Sequence, residues 1–235
     1  MRNILIIGAG RSATSLIKYL LDKSEKEVIF ITIGDLSIES AQKFCNGHPN
    51  AKGIKLDVFD APQRSQAIKS SDLVISMLPA RFHIEVAKDC ILYKKHLVTA
   101  SYVSDEMQAL DEDAKANGLV FMNEIGVDPG IDHMSAMQVI DRIRDAGGII
   151  LMFESFTGGL IAPESDNNLW HYKFTWNPRN VVLAGKGGTA MFLDNHKFKY
   201  IPYNRLFDRL DRITIPGHGK FVGYPNRDSL SYQET

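Results

Sequence analysis

The sequence predicts an α/β fold in which a doubly wound parallel sheet is followed by a second, incomplete α/β region. Strand and helix patterns alternate regularly over the first 125 residues. The strand segments are apolar throughout rather than alternately apolar and polar. A glycine-rich turn separates the first strand from the first helix. Strands with two buried faces are typical of parallel sheets that helices cover on both sides.

Six short apolar segments are the predicted strands: "NILIIG", "EVIFITI", "GIKLDV", "DLVISMLP", "HLVTAS" and "GLVFMNE". The first helix is predicted in "RSATSLIKYLLDK", since Leu16, Ile17, Leu20 and Leu21 recur at helical spacing. The second is predicted in "SIESAQKF", where Ser37 is suited to cap the helix. Helices of usual length fit the remaining gaps.

The pattern changes after Glu124, so we predict domains at residues 1–125 and 126–235. A helix is predicted over residues 131–146, ended by Gly147 and Gly148. The segment "IILMFESFTGG" that follows reads as a long strand. Residues 160–179 show no clear periodicity, and short strands with turns are predicted from Val181 onward.

Bulk composition excludes several classes of protein. The formal net charge is −1 and the pI is near 6.7, so no basic face for nucleic acid is indicated. The longest apolar runs fall far short of the ~20 residues that a membrane helix needs. Only two cysteines occur, Cys45 and Cys90, in unrelated contexts. They predict buried, inert thiols and a cytoplasmic protein rather than a disulfide framework.

The turn "LIIGAGRSA" carries the spacing Gly8-x-Gly10-x-x-Ala13 between a predicted strand and a helix. In a Rossmann-type dinucleotide-binding domain, the first glycine permits the tight turn and the second lets the backbone approach a pyrophosphate. Alanine is accepted at the third position. We predict that five consecutive residues contact the cofactor: Gly8, Ala9, Gly10, Arg11 and Ser12. The alternative is a tight turn without a ligand.

An acid follows the second strand at the offset expected for a ribose-binding carboxylate. Asp35 lies 25 positions after Gly10. A carboxylate there would repel a 2′-phosphate, and no arginine stands beside it in the sequence. The sequence therefore favours NAD over NADP. The alternative is that Asp35 is a helix cap or a solvated turn residue.

Two more strand ends are candidates for the cofactor cleft, because ligands bind beyond the carboxyl ends of parallel strands. Asp57 and Val58 follow the third strand and are predicted near the adenine. Leu78 and Pro79 follow the fourth and are predicted beside the nicotinamide ribose. Leu78 and its neighbour Met77 are alternatively core residues.

The stretch "GVDPGIDHMSAM" begins where the pattern changes. Asp128, Asp132 and His133 lack the converging spacing of metal ligands, so no metal site is predicted. Asp132 is placed to stabilise the start of the following helix. His133 is expected to be structural. We predict that Asp128 faces the cleft.

Four blocks follow the glycine turn in order: "TASYVSDEM", "NEIGVDPGIDHMSAM", "SFTGGLIAPESDNNLWHYKFTWNPRNVVLAG" and "VGYPNRDSLSY". Together they resemble the saccharopine reductase family, that is, glutamate-forming saccharopine dehydrogenases. The resemblance implies an oxidoreductase of lysine metabolism. It would interconvert saccharopine with glutamate and 2-aminoadipate 6-semialdehyde through hydride transfer with a nicotinamide cofactor. A homodimer is implied as well.

Saccharopine carries three carboxylates and two amines, so its site needs cations and a few acids. Arg179 and Arg227 are the candidate carboxylate clamps, and Asn226 and Tyr102 could add hydrogen bonds. Ser101 is predicted where a strand end meets the nicotinamide. Asp128 is the candidate for holding the amine and accepting its proton, and Tyr102 for assisting it. The alternatives are a solvated loop for the arginines, packing for Tyr102 and a turn cap for Asp128.

Two features depart from the resemblance. Members of that family are commonly about twice as long, so the second region is expected to be only part of a substrate domain. Members that use NADP tend to carry a basic residue near the position of Asp35. A lysine or carboxynorspermidine dehydrogenase with the same architecture stays open as an alternative, and so does a non-catalytic NAD-binding protein.

Overall fold

The computed structural model describes residues 1–175, 178–184, 188–226 and 229–230. Met1–Thr157 and Gly158–Thr235 form two compact units. The domain boundary predicted near residue 125 rests on the sequence pattern and stays a prediction.

The first unit alternates strands and helices, as the sequence predicts. Its elements are β1 (Arg2–Ile7), α1 (Thr14–Glu27), β2 (Ile29–Asp35), α2 (Ile38–Cys45), β3 (Ala51–Lys55), α3 (Ala61–Lys69), β4 (Leu73–Ser76), α4 (His83–Leu92), β5 (His96–Thr99), α5 (Asp105–Gln108), α6 (Asp111–Ala116), β6 (Phe121–Met122) and α7 (Ile131–Asp145).

All six strands of the first unit pair in parallel, in the order β3-β2-β1-β4-β5-β6. The chain therefore reverses its direction of winding between β1 and β4, which are neighbours in the sheet. In such sheets the ligand crevice lies beyond the carboxyl ends of the strands at this reversal. The predicted doubly wound, Rossmann-type fold is confirmed.

Strand β1 explains why the strand segments are apolar throughout. Ile4 and Ile6 belong to a core cluster with Ile17 of α1, while Leu5 and Ile7 belong to a second cluster with residues of α3 and α4. Both faces of the strand are buried from Ile4 to Ile7, and all four of these positions are apolar.

Helix boundaries follow local signals. Ser37 caps α2, because its hydroxyl accepts a hydrogen bond from the Ser40 N–H at 3.1 Å. Helix α7 ends at Asp145, and the next glycine, Gly147, has a φ of +75° that suits glycine. Cys45 and Cys90 are both buried and free.

The prediction of a strand in "IILMFESFTGG" is wrong, because residues 149–159 have no regular secondary structure. A strand needs a neighbour for its backbone groups, and within the described residues none pairs with this segment. Most of its apolar side chains are also exposed, Leu151 by 93%.

The second unit has short elements. They are α8 (Pro178–Ala184), β7 (Ala190–Asp194), β8 (Lys197–Ile201), β9 (Asp211–Ile215) and β10 (Gly219–Gly223). Strands β7 and β8 pair antiparallel, as do β9 and β10. The predicted short strands after Val181 are confirmed. Within the described ranges, no helix is long and apolar enough to cross a membrane.

Candidate functional site

The glycine turn lies at the carboxyl end of β1, where the sheet reverses. Gly8 has a φ of +105°, and a Cβ there would lie 2.9 Å from the carbonyl oxygen of Met77, at the end of β4. A Cβ on Gly10 would meet nothing within 4 Å. Gly8 therefore permits tight contact between strand ends, while Gly10 leaves an open face that a ligand can approach. These properties fit a pyrophosphate-binding turn.

Asp35 links that turn to the end of β2. Its Oδ2 accepts a hydrogen bond from the Ala9 N–H at 2.7 Å, and its Oδ1 accepts one from the Ser37 N–H at 2.9 Å. Each carboxylate oxygen can accept a second hydrogen bond. Asp35 can therefore hold the turn and still accept a ribose hydroxyl. Sequence reasoning did not find its bond to Ala9.

A second acid, Glu39, is linked to Asp35 through Ser37. Glu39 is in the first turn of α2, and its Oε2 accepts a hydrogen bond from the Ser37 hydroxyl at 2.8 Å. Its pKa is lowered by a hydrogen bond from its own backbone N–H, and then by the Ser37 hydroxyl. Lys55 faces Asp35 in the register of β2 and β3 and is exposed. Two carboxylates and one ammonium group thus border the position predicted for the adenosine ribose.

The other predicted cofactor residues follow β3 and β4. Asp57 accepts a hydrogen bond from the Phe59 N–H at 2.9 Å. Val58 is buried in the core. Leu78 is half-buried against the same core cluster, whereas Pro79 is exposed. Cofactor contact by these four residues stays a prediction.

Tyr102 and Asp128 meet beyond the end of β5. The Tyr102 hydroxyl donates to Asp128 Oδ1 at 2.6 Å. Backbone bonds bring the two segments together, since the Glu124 N–H donates to the Ser101 carbonyl at 3.1 Å. In the turn that carries Asp128, the Gly126 N–H donates to the Pro129 carbonyl at 2.8 Å.

This pair lies in an acidic corner. Asp132 accepts from the Gly130 N–H at 3.0 Å, and Glu124 accepts from the Val103 N–H at 2.9 Å. The pKa of Tyr102 is raised by the partial burial of its side chain, then by its bond to Asp128 and by the nearby carboxylates. Tyr102 therefore stays protonated at neutral pH and donates to Asp128. A corner with this charge attracts a substrate ammonium group.

A buried histidine, missed in the sequence, connects β4 and β5. His83 begins α4 and is 4% exposed. Its Nδ1 lies 2.8 Å from Ser76 Oγ, and its Nε2 lies 2.8 Å from Ser101 Oγ and 3.2 Å from Thr99 Oγ1. Burial lowers its pKa to about 4, so the imidazole is neutral at pH 7. The sequence offered one signal: His83 follows the end of β4, and the ends of both β4 and β5 carry hydroxyl residues, Ser76 and Thr99.

The remaining predicted residues belong to the second unit. Arg179 is an exposed residue of α8, and Asn226 is exposed after β10. Arg227 lies outside the described residues. Substrate binding by these three residues stays a prediction.

Comparisons with known proteins cover the whole chain. The family model for the saccharopine dehydrogenase NADP binding domain matches residues 4–122. The model for the saccharopine dehydrogenase C-terminal domain matches residues 126–235.

Similar proteins include saccharopine dehydrogenases and an alpha-aminoadipic semialdehyde synthase. Saccharopine dehydrogenase [NADP(+), L-glutamate-forming] of Schizosaccharomyces pombe is 43% identical over 100% of this chain and 51% of its own length. The alpha-aminoadipic semialdehyde synthase of Arabidopsis thaliana is 36% identical over 98% of this chain and 23% of its own. The apo structure of saccharopine dehydrogenase (L-Glu forming) from Saccharomyces cerevisiae has a TM-score of 0.90 at 35% identity, over 100% of this chain and 52% of that one. The chain thus spans about half the length of these dehydrogenases.

Proposed function

The chain belongs to the saccharopine dehydrogenase family, and from this we propose that it interconverts saccharopine with glutamate and 2-aminoadipate 6-semialdehyde. The relatives named for this reaction support the proposal. The observation that carries it is the Tyr102–Asp128 hydrogen bond, at the same sheet edge as the glycine turn. It supplies an acid–base pair at the sheet edge that also carries a turn whose shape fits a dinucleotide.

The bound dinucleotide would accept or return a hydride at the carbon attached to the substrate nitrogen. In the direction of saccharopine oxidation, the secondary ammonium group must first lose a proton. We assign that proton to the carboxylate of Asp128. Its Oδ1 is held by the Tyr102 hydroxyl, and its Oδ2 offers the acceptor. Loss of hydride then leaves a cationic C=N group, which the acidic corner stabilises.

Water next adds to the carbon of that C=N group, and the proton that it loses passes to solvent. The nitrogen takes up a proton, and the C–N bond breaks. The remaining hydroxyl proton passes to the departing amine, so the aldehyde and the ammonium form of glutamate separate. Protonated Asp128 is the source of the nitrogen's proton in this scheme, so the carboxyl ends the cycle as a carboxylate. Tyr102 keeps its own proton and holds the carboxyl in place.

For the cofactor we propose NAD in preference to NADP, although the matched family model and the relatives are named for NADP. The residues around the predicted ribose site support this choice. Asp35 and Glu39 are carboxylates and would repel a 2′-phosphate, and Lys55 supplies one compensating charge. The proposal also keeps the predicted homodimer and cytoplasmic location, which rest on the resemblance and on the cysteine usage.

The test is a panel of amine substrates incubated with the oxidised cofactors. Saccharopine, lysine and carboxynorspermidine are each supplied with NAD and with NADP, and the products are identified by mass spectrometry. We expect glutamate and the semialdehyde from saccharopine only. Lysine and 2-oxoglutarate as the products, or turnover of either other amine alone, would contradict the proposal.

A further inference from the structure

His83 occupies the space behind the serine predicted to meet the substrate. It lies at the start of α4, and its ring contacts hydroxyl groups from the ends of two strands. Ser76 and Thr99, at the ends of β4 and β5, are both 1% exposed. Ser101 is half-buried, and so it joins this enclosed group of side chains to the open edge of the sheet.

The neutral His83 ring carries its N–H hydrogen on either Nδ1 or Nε2. A neutral imidazole donates from one nitrogen and accepts at the other. Two hydroxyl oxygens lie near Nε2, those of Ser101 at 2.8 Å and Thr99 at 3.2 Å. One lone pair accepts a single hydrogen bond well, whereas one N–H can be shared between two acceptors. Hydrogen on Nε2 therefore accommodates both oxygens, with Ser76 donating its hydroxyl to Nδ1 at 2.8 Å.

This arrangement has a consequence for Ser101. When its oxygen accepts from Nε2–H, its own hydrogen is released to donate elsewhere. The Ser101 backbone is fixed as well, because its N–H donates to Thr99 Oγ1 at 3.3 Å. The hydroxyl is then a pre-oriented donor at the edge of the sheet. Fixed donors of this kind favour an anionic group at less entropic cost than mobile ones.

We propose that His83 is a positioning residue whose Nε2–H holds Ser101 Oγ, so that the Ser101 hydroxyl donates to a carboxylate of the substrate. This rests on the proposed function, in which Ser101 contacts saccharopine. The histidine itself does not exchange protons with the substrate, since burial keeps it neutral at pH 7.

A merely structural role would have different effects. If the ring only fills space between β4, β5 and α4, its replacement should weaken the fold and disturb cofactor and substrate binding together. A positioning role should instead raise the KM for saccharopine and leave the KM for NAD nearly unchanged. It should also make the loss of His83 redundant with the loss of Ser101.

The first experiment reads the hydrogen directly. Nitrogen NMR of the wild-type protein labelled with ¹⁵N-histidine distinguishes the two neutral forms, and the His83 signals are assigned by their loss in His83→Gln. We expect hydrogen on Nε2. Hydrogen on Nδ1 would overturn the proposal, whether or not the protein turns over saccharopine.

The second experiment is a double-mutant cycle with His83→Leu and Ser101→Ala. Each single variant should raise the KM for saccharopine about 10- to 100-fold, the range for loss of one hydrogen bond to a charged group. The double variant should lose no more than either single one. His83→Gln can present an N–H near the Nε2 position and should recover most of the loss. His218→Gln, on the exposed turn between β9 and β10, is the matched control and should behave as wild type.

Additive losses, or an equal rise in the KM for NAD, would overturn the positioning role. If a leucine at this buried site prevents folding, His83→Asn replaces it in the cycle, because the shorter amide can reach the Nδ1 position but not Ser101. Absence of saccharopine turnover by the wild type would overturn the proposed function, and with it the substrate role of Ser101. The NMR result would stand apart from that outcome.

Discussion

Protonation of His83 should make the stability of the first unit depend on pH. In the unfolded chain this histidine has its ordinary pKa of 6.5, while burial lowers the folded value to about 4. Between these values the unfolded state binds more protons, so stability falls with falling pH. The stability that the neutral ring contributes is fully present above pH 6.5 and is lost as the pH falls toward 4. Between pH 7 and pH 4.5 this loss lowers the free energy of unfolding by about 2.5 kcal/mol.

The assay is urea unfolding at pH 7 and pH 4.5 for wild type and His83→Gln, followed by circular dichroism. Other groups also titrate in this range, so the informative quantity is the difference between the two proteins. The wild type should lose about 2.5 kcal/mol more than the variant over this interval. His218→Gln should show the wild-type loss. Equal losses in wild type and His83→Gln would refute the reasoning, because His83 would then not be buried as a neutral ring.

Three more predictions follow from the sheet edge. Asp35→Asn removes a charge from the ribose corner, so the NAD-to-NADP ratio of kcat/KM should fall about tenfold; an unchanged ratio would count against this role. Gly8→Ala should destabilise the fold by about 1–3 kcal/mol, because its Cβ would meet the Met77 carbonyl at a φ of +105°. Gly10→Ala should have the same urea midpoint of unfolding as the wild type, yet bind NADH more weakly in calorimetry. Similar losses of stability in the two variants would contradict the different roles of these glycines. Tyr102→Phe should lower kcat about 10- to 100-fold with little change in stability, since the side chain is 60% exposed; an unaltered kcat would remove Tyr102 from the chemistry.

The parts of the fold that depend on local pattern could be predicted from the sequence. The last four residues of β1 are apolar because both faces of the strand are buried there, and the turn of Gly8 and Gly10 follows it directly. The Ser37 cap and the helix Ile131–Asp145 are likewise set by neighbours in the chain. Periodicity and capping record such short-range causes.

Features that depend on which strands are neighbours could not be predicted. Ser76, His83 and Ser101 are spread over 26 positions of the sequence, and they meet because β4 and β5 are adjacent in the sheet. The bond from Ala9 to Asp35 has the same origin, in the pairing of β1 with β2. The strand predicted at residues 149–159 was wrong for the converse reason, since apolar composition does not supply a pairing partner.

The most direct test of the account is saccharopine-dependent formation of reduced nicotinamide by this chain, with NAD and NADP assayed side by side and glutamate measured as the product. We predict that reduced nicotinamide and glutamate form in equal amounts, and that kcat/KM is higher with NAD than with NADP. If neither NAD nor NADP is reduced, under conditions in which the protein is folded and binds NADH, the proposed reaction is contradicted.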